Sequence, residues 1–518
     1  MKRRSFIKNV GGVLAATGLS SSFGFGMPGA STIQSLLKIA AESNKVLVLI
    51  FLEGGNDGLN TVVPLDQLSA LNSVRPHVIM PEASLHNLPQ SEVGLHSSLS
   101  GFSSLYKEGR MGIIQNVGYP DQNYSHFRST DIWMSASDSN ELVNTGWSGR
   151  HLHNEYPAFP TDFPNTDMPD PLAIEIGNGS SLIFQGPTAS MSMVIGDATS
   201  FYNLINDVDE PVPDTPAGEQ LEYIRLVARQ SQQYGEVVKT AAEKVTQQAT
   251  FPDTWLGAQL KIVSRLIAGG LQTPLYLVRH GGFDLHDSQV EAADHTTGNH
   301  ADLLTELDEA VMAFMKDTEQ QGTGDQVMGL TFSEFGRRIV SNASLGTDHG
   351  AAQPMFFFGN GVKGGVIGDN PVISSSSTYE DNLPMQFDFR QVYASAMQQW
   401  LGASDINTTD VLFNQFDQLE LIGESVILGV EEQLASNGMS VFPNPVNDRA
   451  TIQFISTGEH ISIDVFDIYG KQKAQLFTGV KPRGQQQLEW QVNGLVSGKY
   501  LVVITSGNGK RVVPILKR

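Results

Sequence analysis

The sequence predicts an α/β domain with a central sheet between helices, followed by a small all-β sandwich. In the first part, short apolar runs of strand length alternate with amphipathic helical patterns, and the helix predicted over 302–316 leads directly into the apolar run Val327–Phe332. This repeat of strand, acidic loop, helix and strand is typical of α/β proteins. After about Gly429, short alternating runs separated by turn residues predict the all-β part. A length of 518 residues also favours at least two domains.

The composition restricts the classes of partner and site that the chain can have. There are 55 acidic residues against 33 Lys and Arg, and the resulting net charge of −22 argues against nucleic acid or anionic lipid as the main partner. The chain has no cysteine, which excludes disulfides, thiolate zinc sites and cysteine nucleophiles. A metal site in this protein would therefore use oxygen and nitrogen ligands.

The N-terminal segment has the features of an export signal. It begins M-K-R-R-S-F-I-K, and the pair Arg3 and Arg4 in this setting resembles a twin-arginine signal. Residues 9–37 carry no charge, but their Gly, Ser and Ala content makes them a poor membrane-spanning helix. We expect a signal peptide over 1–30 that is recognised by the export machinery. Because no other segment is long and apolar enough, we expect no transmembrane segment in the mature protein.

Two predicted strands of the first domain end in residues that can bind metals. The apolar run 45–52 ends in E-G-G-N-D-G-L-N, which places the carboxylates of Glu53 and Asp57 on a glycine-rich turn. Taken alone, this motif is better explained as an ordinary strand-to-helix turn with Asp57 as the N-cap. The predicted strand 275–278 leads into a polar loop that contains Asp284 and His286, and an Asp-x-His pair on a loop suits zinc or a similar ion.

Two further predicted strands bring more such residues towards the same region. The run Val327–Phe332 delivers Glu334 at its carboxyl end, and Asp348 and His349 come just before a strand predicted at 354–358. In an open α/β sheet, ligands bind outside the carboxyl ends of the strands. The alternative is that the acidic residues cap turns and that the histidine packs locally.

We therefore predict a divalent metal site, with zinc as the best suited ion and manganese or iron left open. The candidate ligands are Asp57, Asp284, His286, Glu334, Asp348 and His349. Of these, Asp284, His286 and His349 are expected to bind one ion together.

The candidate catalytic residues follow the strand predicted at 111–117. The sequence S-H-F-R-S-T-D there places Ser125 and Ser129 near the start of a predicted helix, where the helix dipole favours anions. Either serine could be a nucleophile, although a serine in this position is more often an N-cap. Arg128 could bind a pair of anionic oxygens or pair with Asp131.

The last eighty residues carry three motifs: F-P-N-P-V, then D-I-Y-G-K, then L-V-S-G-K-Y-L-V-V-I. In order and spacing they resemble the carboxyl-terminal sorting domain of the type IX secretion system. We expect this domain over 437–518. The resemblance implies export through the periplasm to the cell surface or the extracellular medium.

The first domain also contains five motifs in a characteristic order: G-G-N-D-G-L-N at 54–60, S-H-F-R-S-T-D at 125–131, G-G-F-D-L-H at 281–286, T-F-S-E-F-G-R at 331–337 and T-D-H-G at 347–350. Together they resemble the domain-of-unknown-function 1501 family, and we expect this domain over 45–429. The family is similar to a distant branch of the alkaline phosphatase and sulfatase superfamily. The resemblance implies an alkaline phosphatase-like sheet between helices and usually two metals.

The resemblance also implies roles for single residues. Glu53 or Asp57 matches the acidic ligand after the first strand, and Ser125 or Ser129 falls where the nucleophile lies. The ligands of one metal match Asp284, His286 and His349. Glu334 falls on the aspartate of the superfamily's Asp-His-Gly motif, but Phe335 stands where that motif has a histidine ligand.

Two functions follow from these expectations. The first is an exported metal-dependent hydrolase of phosphate or sulfate esters, acting on a small-molecule or polysaccharide substrate, in which Arg128 or Arg337 holds ester oxygens. The second is a non-catalytic secreted or surface binding protein on a degenerate hydrolase fold. The cluster of predicted ligands favours the hydrolase, whereas Phe335 favours the binding protein.

Overall fold

A computed structural model describes residues 45–517, apart from 167, 178, 197–232, 424–438 and short gaps between 443 and 508. The expected signal peptide at 1–30 lies outside the described residues. The chain divides into two compact units, with the boundary between Ile422 and Gly423. The domain limits expected from the sequence remain predictions.

The first unit is built on a mixed sheet. Its described strands are β1 (Val46–Glu53), β2 (Val62–Pro64), β3 (His86–Asn87), β4 (Val93–Leu95), β5 (Met111–Gly118), β6 (Ala173–Ile176), β7 (Ser192–Ile195), β8 (Leu275–Gly281), β9 (Val327–Phe332), β10 (Arg337–Ser341), β11 (Thr347–His349), β12 (Gln353–Phe358), β13 (Gly365–Ile367) and β14 (Phe387–Asp388). The central sheet has the order β13-β5-β12-β9-β1-β8-β6-β7, and β14 also pairs with β5. The α/β fold class predicted from the sequence is confirmed.

Helices cover both faces of this sheet. Besides a helical stretch at 233–243, the described α-helices are α1 (Gly58–Thr61), α2 (Leu68–Val74), α3 (Ser100–Lys107), α4 (His126–Ser135), α5 (Trp147–Glu155), α6 (Trp255–Ala268), α7 (Asn299–Gln320), α8 (Phe389–Ser395) and α9 (Asp405–Leu412). On one face, α4, α5 and α8 pack against alternate residues of β1, such as Leu49. On the other face, α3, α6 and α7 pack against the intervening residues, such as Val48. Because β1 is buried on both faces, its sequence is an unbroken apolar run.

The strand directions place several loops at one edge of the sheet. β1 is parallel to both β8 and β9, so the residues that follow these three strands lie together. β12 is antiparallel to β9, and the Gln353 side chain at its start donates to the Ser333 carbonyl, with an N–O distance of 2.5 Å. The chain just before β12 therefore returns to the same edge. It does so as an antiparallel hairpin, β10–β11, in which Arg337 lies opposite His349.

The second unit is all-β. Its strands are β15 (Met439–Phe442), β16 (Arg449–Ser456), β17 (His460–Asp467), β18 (Gln472–Val480), β19 (Gly484–Gln491), β20 (Gly498–Ser506) and β21 (Gly509–Lys517). They form two sheets, β15-β16-β19 and β18-β17-β20-β21. Alternating side chains such as Ile452, Ile463 and Val502 form a core of their own, which is the pattern that predicted a small β domain. In neither unit is a described helix both long and apolar enough to cross a bilayer.

Candidate metal centre

Three histidines and one aspartate meet at the edge of the sheet where β1, β8 and β9 end. His126 is the first residue of α4, and Asp284 and His286 lie in the loop after β8. His349 ends β11 and is brought to this edge by the antiparallel return of the chain. One ligand atom from each of His126, Asp284 and His349 lies within 4.8 Å of the others.

Hydrogen bonds determine the tautomer of each imidazole. The Nδ1 atom lies 2.7 Å from Glu334 Oε1 in His126, 2.9 Å from Asp348 Oδ1 in His286, and 2.8 Å from the Tyr124 carbonyl oxygen in His349. Carboxylate and carbonyl oxygens can only accept, so each Nδ1 must donate its proton. In the neutral imidazole, the lone pair is then on Nε2.

The three Nε2 atoms all face the carboxylate of Asp284. The distances are 3.0 Å from His349 and 3.1 Å from His286 to Oδ1, and 3.3 Å from His126 to Oδ2. The Nε2 atoms of His286 and His349 are themselves 2.9 Å apart. Lone pairs that face each other and a carboxylate repel unless a positive charge lies between them, and imidazole and carboxylate are common ligands of divalent metals. These residues therefore fit a divalent metal ion.

The glycine-rich turn after β1 supports this arrangement. The Gly54 amide donates to both oxygens of Glu334, at 3.0 and 3.2 Å, and so fixes the carboxylate that orients His126. Gly54 has φ +120°, and a Cβ there would lie 2.3 Å from the Asp284 nitrogen. Only glycine therefore allows the turn to approach the ligand loop this closely.

Arg337 is buried and locks the ligand loop. Its guanidinium donates to the carbonyls of Gly54, Gly55 and Phe283 and to Asp284 Oδ1, the last at 2.8 Å. Burial acts to raise the pKa of Asp284, but the neighbouring imidazoles and the hydrogen bond and positive charge of Arg337 outweigh it and lower this pKa to about 2. Asp284 is therefore ionised at neutral pH.

The electrostatic surroundings differ between two of the imidazoles. The hydrogen bond to Glu334 raises the pKa of His126, whereas burial lowers the pKa of His349. His126 Nε2 can thus hold either a proton or a metal. Binding of a metal should release that proton, as is usual for histidine ligands.

Among the ligands predicted from the sequence, Asp284, His286 and His349 come together. The carboxylates of Glu334 and Asp348 lie behind the imidazoles, where they accept hydrogen bonds from Nδ1 of His126 and His286. Oxygen atoms engaged in this way orient metal ligands and raise their basicity.

Asp57 lies elsewhere. Its carboxylate forms a buried ion pair with Arg75 and accepts from Gln289 Nε2 at 2.7 Å. The residue is the N-cap of α1, and its side chain is 3% exposed. A buried carboxylate needs a compensating charge, and here Arg75 supplies it.

The candidate catalytic residues also have separate environments. Ser129 is buried, and its hydroxyl donates to the Glu334 carbonyl at 2.5 Å and bonds the Tyr119 hydroxyl at 2.7 Å. Arg128 donates to the backbone carbonyls of a loop that includes Asp138 and Ser139. Ser125 is exposed at the N-cap of α4, makes no capping bond with its side chain and directly precedes His126.

Sequence reasoning did not assign His126 as a ligand, although it lies in the S-H-F-R-S-T-D motif. The signal that could have identified it is its position at the start of a helix that follows a sheet strand. Phe335, which stands where the resemblance expects a histidine ligand, packs against His126 and His349 with ring centroids 4.9 and 4.4 Å apart. Its ring thus occupies the space beside the two imidazoles.

Comparisons with known proteins agree with this division of the chain. Residues 216–409 match the family described as "Protein of unknown function (DUF1501)". Residues 440–517 match the family described as "Secretion system C-terminal sorting domain". The sorting domain indicates export to the cell surface or the extracellular medium.

The chain also has a weak likeness to several solved structures. It is 10% identical to the PsFucS1 sulfatase from Pseudoalteromonas sp., with a TM-score of 0.34 over 95% of this chain and 89% of that one. For an alkaline phosphatase superfamily protein from Vibrio parahaemolyticus, the identity is 10% and the TM-score 0.32, over 98% and 91%. For alkaline phosphatase from the Antarctic bacterium TAB5, the identity is 9% and the TM-score is 0.26, over 62% of this chain and 95% of that one. Likeness at these TM-scores carries no argument about function. No curated protein matches the chain.

Proposed function

We propose that this protein is an exported metal-dependent hydrolase of phosphate or sulfate esters on small molecules or polysaccharides. The observation that carries the proposal is the convergence of the His126, His286 and His349 lone pairs on Asp284. Three nitrogen ligands and one carboxylate suit zinc, and a bound divalent metal would polarise the ester and stabilise the negative charge that develops. The side chains of Asp284 and His286 are 47% and 44% exposed, so a substrate can reach them.

The chain's own residues would divide the remaining tasks. Glu334, Asp348 and the Tyr124 carbonyl hold the imidazoles in the ligand tautomer, and Arg337 keeps Asp284 ionised. The exposed hydroxyl of Ser125 is the candidate nucleophile, since it precedes a metal ligand at the positive end of α4.

The arginines expected to hold ester oxygens have other partners. Arg337 is buried and donates to carbonyl oxygens and to Asp284, while Arg128 donates to loop carbonyls. The metal and the free amides of α4 would therefore bind the ester oxygens.

The test is hydrolysis by the purified mature protein, loaded with zinc or manganese, of 4-nitrophenyl phosphate, 4-nitrophenyl sulfate and bis(4-nitrophenyl) phosphate. We expect metal-dependent turnover of at least one ester, which His349→Ala abolishes and His77→Ala, at an exposed histidine, preserves. Ser125→Ala should abolish turnover without loss of metal if Ser125 is the nucleophile. Metal-loaded protein that hydrolyses none of the three esters would contradict the proposal.

A binding protein is the second candidate, and Phe335 favours it. Because the Phe335 ring lies against two imidazoles, it takes the place of a further ligand and leaves a centre suited to one metal. A protein that binds the metal and an ester-bearing glycan without turnover would fit this function.

A further inference from the structure

A second group of polar side chains lies in the interior, near the turn after β1. Five of its side-chain atoms are buried and have no hydrogen-bond partner among the described residues: Asp57 Oδ1, Asn60 Oδ1, Arg75 Nε, His96 Nε2 and His300 Nδ1. Each of the five side chains is at most 3% exposed. Buried polar atoms in folded proteins are almost always paired, so a group of unpaired atoms needs an explanation.

These side chains lie near one another around the turn after β1, and we call this group the chamber. Asp57 and Arg75 are ion-paired, and the Asn60 backbone amide donates to the Asp57 backbone carbonyl at 3.2 Å. The rings of His96 and His300 meet edge to face with centroids 5.6 Å apart. His300 Nε2 lies 3.0 Å from the side-chain oxygen of Asn56, the residue before Asp57.

Hydrogen bonds again determine the tautomers. The Ser98 amide donates to His96 Nδ1 at 3.1 Å, so the proton of His96 is on Nε2. His300 Nε2 donates to the Asn56 oxygen, so His300 Nδ1 is a free acceptor. The chamber therefore presents two free donors, on His96 and Arg75, and three free acceptors.

We propose that this chamber is a binding site for ordered water molecules. Water both donates and accepts, and a buried water typically bonds about three polar groups that are otherwise unpaired. A metal cation fits less well because Arg75 already compensates the charge of Asp57 and because the free His96 Nε2 is a donor. An anion is disfavoured by the three free acceptors.

The chamber is connected to the hairpin that carries His349. Arg75 Nη1 donates to the carbonyls of Arg338 and Ile339 in β10, at 2.8 and 3.1 Å. Gln289, which is bonded to Asp57, accepts from the Thr347 hydroxyl in β11 at 2.9 Å. The bound waters would thus hold the supports of the metal centre in place. This support would be the same whatever the centre catalyses.

The first test is a crystal structure of the wild-type protein at a resolution that shows ordered water. We expect water oxygens at about 2.7–3.2 Å from His300 Nδ1 and Asp57 Oδ1. A chamber without water density, in which these atoms pair with one another or with other side chains, would overturn the inference.

The second test counts long-lived waters in solution by oxygen-17 magnetic relaxation dispersion. In His300→Gln, the amide nitrogen can still donate to Asn56, but no atom replaces Nδ1. We expect the count to fall by at least one in this variant and to stay constant in His77→Gln, the same change at an exposed histidine. A constant count in folded His300→Gln would overturn the inference; if that variant does not fold, the wild-type crystal density decides.

Discussion

The hydrogen bond between Glu334 and His126 should control metal affinity. In Glu334→Gln, one carboxylate oxygen becomes an NH2 group of nearly the same shape. If this group faces His126, it donates to Nδ1 and moves the imidazole proton to Nε2, where the metal needs a lone pair. If it faces the other way, it opposes the Gly54 amide, which donates to both Glu334 oxygens. Either orientation loses a bond that the structure uses.

The expected loss of metal affinity is moderate, because Glu334 orients only one ligand, His126. Removing a partner of this kind typically lowers metal affinity about 10- to 100-fold, which corresponds to about 1.4–2.7 kcal/mol. Asp348→Asn should have a smaller effect through His286, because the Asp348 side chain is 50% exposed and solvent screens it.

The assay is a zinc titration near neutral pH in competition with a chromophoric chelator. Glu309→Gln, at an exposed position of α7, is the matched control and should bind zinc as the wild type does. Wild-type zinc affinity in folded Glu334→Gln would refute the tautomer argument.

Three further changes test the surrounding structure. Arg75→Met leaves the buried carboxylate of Asp57 uncompensated and should lower the free energy of unfolding by about 3–5 kcal/mol in urea denaturation; an unchanged value would mean that the ion pair is dispensable. Burial lowers the pKa values of His96 and His300 to about 3, below the ordinary 6.5, so the unfolded chain binds more protons between these values. The free energy of unfolding should therefore be highest above about pH 6.5 and fall by about 1.4 kcal/mol per histidine for each pH unit below it. Equal unfolding free energies on both sides of pH 6.5 would contradict the lowered pKa values. A chain that ends at Gly429 should fold and stay in the periplasm. If this chain no longer folds cooperatively, the last domain is part of the main hydrophobic core.

Buried strands were the part of the fold that the sequence predicted best. The apolar run Val327–Phe332 is strand β9 with the same limits, because an unbroken apolar run of this length is stable only between two packed faces. The direction of β12 is not encoded in such a run. That direction decides that His349, which precedes β12, lies beside Asp284, which follows β8.

The candidate site was predictable in outline but not in its detailed roles. Asp284, His286 and His349 were predicted to act together because each lies next to a buried strand. The role of His126 depends on Glu334, which is 208 positions away in the sequence and becomes its partner only in the folded chain. The site residues Ser125, Ser129 and Arg128 share one motif, yet their side chains point to different surroundings, which residue spacing alone does not define.

The metal content of the purified mature protein is the most direct test of the central claim. At near-neutral pH, elemental analysis should find one divalent ion per chain, and a chelator should lower the melting temperature, because the ion binds the folded state. His349→Ala should lose the ion and the chelator effect together, while His460→Ala, at an exposed position in the second unit, should lose neither. Protein without bound metal that melts identically with and without chelator would contradict the claim, because the histidines and Asp284 would then be an ordinary hydrogen-bonded cluster.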